Sequence, residues 1–169
     1  MHKGLNPPHL LLASSNPVRM IQNLIHVLNQ QELAKITAEL DKNTIELFKL
    51  GELHYDFAAA LPDREWRQKI SRFYYGAYNV RRAVSLKYKG LFSTESSDHQ
   101  KADQLPDTLA NKQAHIANLT TLREDRNLAD YNHFAVVGDL VLSPTDALQF
   151  VTSFVSDSKV YLTQQGVNV

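Results

Sequence analysis

The 169-residue chain contains no cysteine. It can therefore form no disulfide, and no thiolate can act as a metal ligand or as a nucleophile. Such a composition is compatible with a reducing compartment, and we predict a cytoplasmic protein. The sequence also lacks a glycine-rich phosphate loop and a helical His–Glu metal motif. We accordingly expect neither a cofactor nor a metal.

An excess of one charge and long apolar runs are missing as well. Lys+Arg number 18 and Asp+Glu number 18, so the formal net charge is zero. No overall field draws the chain to nucleic acid or anionic lipid, and any phosphate contact must come from a local cluster. The apolar run at residues 10–13 is shorter than the ~7–15-residue core of a signal peptide. No segment approaches the roughly 20 apolar residues that span a bilayer, and we expect no membrane contact.

Glycine and proline are sparse, with six of each in the chain. Most lie near the ends of segments and leave long intervals in which helices can form, while strict apolar/polar alternation is scarce. The sequence therefore predicts an all-α fold, a four-helix up-and-down bundle with an additional N-terminal helical segment. From its length we expect one domain. Within it, residues 1–42 form a helical extension and residues 43–169 form the bundle.

The first half of the chain shows two helical patterns. Residues 17–40 carry apolar residues at a mostly helical spacing. Asn43 and Glu46 then have the spacing of a capping box, which predicts that a helix begins at Asn43. The pair Leu61 and Pro62 would end this helix, because the residue before proline resists the helical conformation. The residues expected on its inward face are Ile45, Phe48, Leu53 and Phe57.

The second half of the chain predicts three further helices. From Trp66 the apolar residues follow alternating steps of four and three, the seam of a helix that packs lengthwise against others. Residues 89–106 are rich in Ser, Asp and Gln and indicate an exposed connection. A third helix is predicted over residues 107–126, and Ser143 followed by proline predicts the cap of the last helix. The seam residues are Trp66, Ile70, Phe73, Ala77, Val80 and Val84.

Arg126 is the first candidate site residue. Because an α-helix turns by roughly 100° per residue, Arg126 falls about 20° from Leu119 and about 40° from Leu122, on the packed side of the third helix. A charge at such a place is costly unless it is paired or opens into a wet groove or a subunit contact. Two interpretations follow. Arg126 is either a bundle arginine paired with Asp130 or Glu124, or a guanidinium that faces a phosphate.

His133 is the second candidate. It follows Arg126 by seven positions, which would place it about 20° away and ~10 Å along the axis if the helix continued. Asn127, Asp130 and Tyr131 lie between the two and could orient them by hydrogen bonding, or simply neutralise them. The alternative for His133 is a solvent-exposed histidine in a turn with no role.

Two separated motifs resemble one protein family. Arg126, a polar residue after it and six intervening positions to His133 match an arginine–histidine signature, and RNLADY at residues 126–131 is similar to an R-x-x-ADY helix end. SRFYYGAYNVRRAV at residues 71–84 is similar to a second helix of the form SR-x-YYA, with Gly76 where a small residue lets a neighbouring helix come close. Together they resemble the HEPN family of small four-helix-bundle proteins. The resemblance covers about residues 43–162.

The resemblance implies a homodimer in which two arginine–histidine pairs meet in a cleft and cut RNA without a metal. The ribose 2′-hydroxyl would attack the adjacent phosphate, His133 would transfer protons, and Arg126 would stabilise charge on the phosphate oxygens. Both residue types suit this chemistry. Family members are often toxins or defence components beside a nucleotidyltransferase or antitoxin. In the ADY branch the histidine is often absent, so the alternative is a non-catalytic nucleotide- or protein-binding dimerisation module.

Other basic residues are candidate RNA contacts. Arg123 could share the groove of Arg126 or be a flanking charge. Arg81 and Arg82 belong to a modest basic run that could guide an RNA backbone or merely solvate a helix face. The aromatic residues at 73–75 could stack on bases, but in a bundle they more often pack in the core.

Overall fold

The computed structural model describes residues 17–90 and 104–169. In these ranges all regular structure is helical and there is no strand, so the predicted all-α fold is confirmed. Most of the predicted connection over residues 89–106 lies outside the described residues. None of the described helices is both long and apolar enough to cross a membrane. The helices are α1 (Pro17–Leu24), α2 (Gln30–Ala60), α3 (Trp66–Lys89), α4 (Lys112–Tyr131) and α5 (Pro144–Gln164), with 3-10 turns at Asp63–Glu65 and Val137–Asp139.

Helix α3 lies at the centre of the fold and packs against α2, α4 and α5. The apolar seam predicted from its sequence is confirmed, because five of its six residues are fully buried and Trp66 is partly buried against the core. A helix covered on several sides needs an apolar residue at nearly every turn, which is why its pattern is so regular. The fully buried seam residues are Ile70, Phe73, Ala77, Val80 and Val84.

Helices α2 and α3 approach each other closely at a pair of glycines. A Cβ atom at Gly76 would lie 3.2 Å from the carbonyl oxygen of Gly51, and one at Gly51 would lie 2.6 Å from Cγ2 of Val80. The predicted role of Gly76, to admit a neighbouring helix, is confirmed. Towards the start of α2, Leu40 packs with Leu86 from the end of α3. The two helices therefore run antiparallel, as an up-and-down bundle requires.

The prediction that a helix begins at Asn43 is wrong. Helix α2 begins at Gln30, and its capping box is formed by Asn29 and Glu32, whose backbone N–H groups each donate to the other's side chain at 2.9 and 3.0 Å. Asn43 lies inside the helix and donates from its side-chain amide to the carbonyl oxygen of Glu39 at 2.8 Å. The motif misled because an asparagine can bond to its own helix as well as start one. Helix α2 thus crosses the boundary drawn between residues 42 and 43.

The inward face of α2 was predicted only in part. Phe48 is fully buried and Ile45 packs against the core. The prediction is wrong for Leu53 and Phe57, which are 67% and 55% exposed. The buried face passes through Gly51 instead, because only a residue without a side chain allows α3 to come so close.

Helices α4 and α5 complete the bundle. Helix α4 begins and ends about five residues later than the predicted 107–126, and Leu119 and Leu122 are buried on it as expected. Ser143 caps α5 as predicted, since its hydroxyl accepts from the backbone N–H of Asp146 at 3.1 Å. The end of α4 and the segment that follows it carry the candidate site.

Candidate functional site

Arg126 is held by neighbours from its own chain, and its side chain is only 16% exposed. Its Nε lies 2.8 Å from Oδ2 of Asp130, one turn further along α4, in an ion pair that is not aligned as a hydrogen bond. Nη1 donates to Oδ1 of Asn127 at 3.1 Å, and Nη2 donates to the hydroxyl of Tyr75 on α3 at 2.5 Å. The interpretation of Arg126 as a bundle arginine paired with Asp130 is therefore the one that the structure supports.

Three tyrosine rings surround the same guanidinium. Its Cζ lies 5.7, 5.2 and 5.3 Å from the ring centroids of Tyr74, Tyr75 and Tyr131, within the range of cation–π attraction. Burial lowers the pKa of Arg126, but the influence of Tyr75, Asp130 and Tyr131 outweighs it, and the pKa is raised overall. Burial also raises the pKa of Tyr74, so this ring remains a neutral phenol. We call Arg126, its contact residues Asn127 and Asp130, and these three tyrosines the arginine cluster.

His133 lies beyond the end of α4, which stops at Tyr131 with Asn132 as its cap. Because the helix does not continue, the helical extrapolation from Arg126 to His133 does not apply. The imidazole is exposed, and its ring centroid lies 4.0 Å from that of Phe134. It makes no hydrogen bond or ion pair with any residue that the structure describes.

An open groove of about 450 Å³ lies at this end of α4. Asp130 and Tyr131 contact Arg126 and also line the groove, whereas Arg126 itself does not line it. The structure thus brings Arg126 together with Asn127, Asp130 and Tyr131, and it places His133 in the adjoining groove. The residues that line the groove are Arg67, Gln68, Ala129, Asp130, Tyr131 and His133.

The three remaining candidates do not line this groove. Arg123 pairs with Glu124 at 2.6 Å. Arg81 and Arg82 lie over the ring of Tyr78, with Cζ 5.3 and 5.4 Å from its centroid. Arg81 is only 3% exposed, which argues against a contact with an RNA backbone. For Arg123 and Arg82, RNA contact stays a prediction.

Residues 132–142, which we call the exposed loop, are held to the bundle by Arg67 from α3. Its Nη1 donates to the carbonyl oxygens of Ala129 at 2.7 Å and Asn132 at 2.9 Å, and its Nη2 donates to that of Ala135 at 2.6 Å. Two of these acceptors lie at the end of α4, where carbonyl groups lack helical partners. One guanidinium therefore ties the helix end and the start of the loop to α3.

Asp125 holds the far end of the same loop. It is only 2% exposed, and its two carboxylate oxygens accept from the backbone N–H groups of Val141 at 2.9 Å and Leu142 at 2.8 Å. In the middle of the loop, the backbone N–H of Val136 donates to Oδ2 of Asp139 at 2.9 Å. Bonds to a buried carboxylate are charge-assisted and stronger than neutral ones. The loop backbone is thus fixed at both ends and in its centre.

The exposed loop and the adjoining Tyr131 carry several apolar or aromatic side chains that lie in solvent, whereas Ala135 is buried and Leu140 and Leu142 pack against the core. Phe134 is 82% exposed, and Val141 is 75% exposed. A group of exposed apolar side chains in one short segment is typical of a site of protein contact. The exposed side chains of this patch are Tyr131, Phe134, Val136, Val137 and Val141.

Sequence reasoning did not identify Tyr75, Arg67 or Asp125 as parts of the site. Asp125 had a signal, because it follows Leu122 by three residues and precedes Ala129 by four, in an otherwise inward row. Arg67 had none, since its acceptors are backbone carbonyls brought near it only by folding. Tyr75 was noted only as an aromatic residue.

No family model matches the chain, and no curated protein and no solved structure matches it either. The likeness to the HEPN family therefore rests on the motifs in the sequence alone. Across residues 17–90 and 104–169, no group of three or more His, Asp or Glu residues could hold a metal ion. The geometry at the end of α4 is the main guide to function.

Proposed function

We propose that the protein is a HEPN-like, non-catalytic dimerisation module that binds another protein through its exposed loop. One observation carries the proposal: the loop backbone is fixed by Arg67 and Asp125, while four of its apolar side chains are exposed, those of Phe134, Val136, Val137 and Val141. A surface that is already ordered loses little entropy when it binds. An apolar surface of this size is costly to leave in water unless something covers it.

The state of Arg126 also favours binding over cleavage. An arginine that stabilises a phosphate must aim its donors at the phosphate oxygens. Those of Arg126 already face Asp130, Asn127 and Tyr75. Moving it away would leave a partly buried carboxylate without its partner, and such unpaired charges are destabilising. The arginine cluster thus favours a structural role for Arg126 over a role in a reaction.

The partner that the loop fits is an apolar protein surface. Phe134 and Val141 are the most exposed of its side chains, and an exposed aromatic ring is a common anchor of a protein interface. A nucleotidyltransferase or an antitoxin is our candidate for this partner, in keeping with the HEPN resemblance. A second copy of the chain completes the module as a homodimer.

Site-specific photo-crosslinking tests the loop as a binding surface. A photo-reactive amino acid would replace Phe134 in the full chain expressed in its own host. The matched control would carry it at Val160 on α5, an exposed apolar position 55% open to solvent. We expect one discrete crosslinked protein from position 134, lost when Val141→Asp is added, and none from position 160. Equal yields from both positions, or no product at 134, would contradict the proposal.

His133 favours a second candidate, a metal-independent endoribonuclease that acts as a toxin or defence component. The imidazole is exposed and lines the groove beside Asp130, where it can exchange protons with a bound ligand. In this scheme the ribose 2′-hydroxyl loses its proton and attacks the adjacent phosphate, the bond from phosphorus to the 5′-oxygen breaks, and the 5′-oxygen leaves as a hydroxyl after it gains a proton. Arg126 would have to leave Asp130 and pair with the phosphate when RNA binds.

Incubation with RNA in EDTA separates the two candidates. A ribonuclease would release products with 2′,3′-cyclic phosphate ends, and the double variant Arg126→Ala, His133→Ala would not. The matched control is Arg64→Ala, which removes an arginine that is 84% exposed on another part of the chain. The binding module predicts no cleavage by any of the three proteins. Equal cleavage by wild type and double variant would place the activity elsewhere than at Arg126 and His133.

A further inference from the structure

Helix α2 has a second apolar side that is not covered by any part of the chain that the structure describes. Leu50, Leu53 and Phe57 are 42%, 67% and 55% exposed. Their spacing of three and four residues places them in one row, which we call the α2 stripe. The other side of the helix is buried through Phe48 and Gly51. A helix that is apolar on two sides is typical of one that is covered on both.

A cation that has no carboxylate partner among the described residues lies at one end of the α2 stripe. The guanidinium of Arg72, on α3, lies 5.7 Å from the ring centroid of Phe57. None of the carboxylates in residues 17–90 and 104–169 forms an ion pair with Arg72. The neighbouring His54 does not add a second positive charge, because burial and the charge of Arg72 lower the pKa of its imidazole and favour the neutral form. Arg72 therefore places a positive charge at the end of the stripe near Phe57, where the exposed Asp56 is the neighbouring residue on α2.

The other end of the α2 stripe carries an exposed carboxylate. Glu46 lies four residues before Leu50, on the same side of the helix. Its side chain is 64% exposed, and among the residues that the structure describes it pairs with Lys49 alone, itself 59% exposed, at 3.2 Å. An exposed pair of this kind contributes little to stability and exchanges readily. The carboxylate is thus available to another cation.

This arrangement is complementary to itself when it is reversed. Turning a second copy by 180° about an axis through the middle of the α2 stripe sets the two helices antiparallel. Phe57 then faces Leu50 of the partner subunit, and Leu53 lies near the axis. Four residues of helix span roughly 6 Å, which brings Glu46 of the partner subunit to the region of Arg72. The net charge of zero leaves no overall repulsion between the copies.

We propose that two copies of the chain pair through their α2 stripes, antiparallel about a two-fold axis, with Arg72 of each copy bound to Glu46 of the partner subunit. The inference rests on the dimer in the proposed function and specifies its surface. Isologous pairing of this kind places the same contact twice in one interface. The stripe supplies apolar burial, and the two ion pairs fix the antiparallel direction.

A nucleic acid fits the same surface less well. Two of the three stripe residues are leucines, which offer no ring for a base to stack on. The exposed carboxylates of Glu46 and Asp56 on the same helix would repel phosphate groups. A second copy would cover the apolar row and would also pair with the charges at its two ends.

Charge reversal tests the pairing directly. Sedimentation equilibrium of the full chain would give the dimer dissociation constant of wild type, Glu46→Lys, Arg72→Glu and the double variant that carries both changes. We expect each single change to weaken the dimer at least about tenfold, because it sets like charges together twice, and the double change to restore it to within about threefold. Leu53→Asp should give a monomer. Arg64→Glu with Glu65→Lys, an exposed pair outside the stripe, is the control.

The outcomes separate this inference from the proposed function. A dimer that is insensitive to Leu53→Asp and to both single charge changes would overturn the α2 interface, while dimerisation would stand. Single changes that weaken the dimer without rescue by the double variant would overturn the Arg72–Glu46 contact. A monomeric wild type would overturn both the inference and the dimer. Binding of a labelled oligoribonucleotide that is lost on Arg72→Glu, with no change in mass, would assign the surface to RNA instead.

Discussion

The arginine cluster and the exposed loop lie side by side at the end of α4. They differ in which of their groups have partners within the chain. In the cluster the guanidinium of Arg126 is partly buried, pairs with Asp130, donates a hydrogen bond to Tyr75 and lies against aromatic rings. In the loop the backbone groups have acceptors and donors, but Phe134 and Val141 are 82% and 75% exposed. The charged groups of the cluster find their partners within one chain. In the loop, backbone groups have partners but these exposed apolar side chains are not covered by the described residues.

The difference separates stability from recognition. A buried charge with its partners contributes to the native state of one chain, because removing any member leaves another without compensation. An exposed apolar side chain on a fixed backbone contributes little to that state and becomes useful when a partner covers it. The two regions should therefore respond in opposite ways to mutation.

Asp125→Ala should have the largest effect on stability. It removes the acceptors of two partly buried, charge-assisted bonds from the backbone N–H groups of Val141 and Leu142, so we expect the free energy of unfolding to fall by about 2–4 kcal/mol. Urea unfolding followed by circular dichroism measures it. Asp125→Asn keeps one acceptor oxygen and should lose about half as much. A loss below about 0.5 kcal/mol for Asp125→Ala would show that the loop is not fixed at this end.

Arg67→Ala should have the next largest effect. Three carbonyl oxygens lose their donor, one of them in an exposed bond, and since a carbonyl can accept from water in its place, we expect a loss of about 2 kcal/mol in the free energy of unfolding. Arg64→Ala, an exposed neighbour in sequence, is the control and should change little. Equal stability of the two variants would show that Arg67 does not fix the loop backbone.

Arg126→Ala should cost about 1–2 kcal/mol, through its contacts with Asp130 and Tyr75. A double-mutant cycle with Tyr75→Phe sharpens this prediction, because residues in direct contact should show a coupling of at least about 0.5 kcal/mol. Additive losses would mean that the contact between Arg126 and Tyr75 contributes nothing to stability. The cluster would then stabilise the fold less than its geometry indicates.

Phe134→Ser should have the smallest effect on stability, within about 0.5 kcal/mol of wild type, because the ring is almost fully exposed. Thermal unfolding measures it, with Phe154→Ser as a buried counterpart that should be severely destabilised. A loss for Phe134→Ser near that of a core residue would show that the loop side chains belong to the fold and not to a binding surface.

The parts of the fold that the sequence predicted are those set by local pattern. The seam of α3 was predictable because a helix covered on several sides is apolar at every turn. Helix α2 was harder, since it carries two apolar sides and the pattern alone cannot tell which one meets α3. Gly51 decided that question by a contact between helices, which spacing along one helix does not contain.

The candidate site divides in the same way. The contact of Arg126 with Asp130 was among the predicted alternatives, because residues four apart on a helix are neighbours. The contact with Tyr75, 51 residues away in sequence, was not predictable from spacing. The position of His133 was predicted only on the condition that the helix continued, and α4 ends two residues before it. The loop has no periodicity from which its fixed backbone could have been predicted.

Amide hydrogen exchange of the exposed loop tests the central claim most directly. If the loop is a fixed backbone that presents apolar side chains, the amides of Val136, Val141 and Leu142 should exchange at least about a hundredfold more slowly than in an unfolded chain, and Asp125→Ala should release the last two selectively. Exchange of these amides at unfolded rates in the wild-type protein would contradict the account.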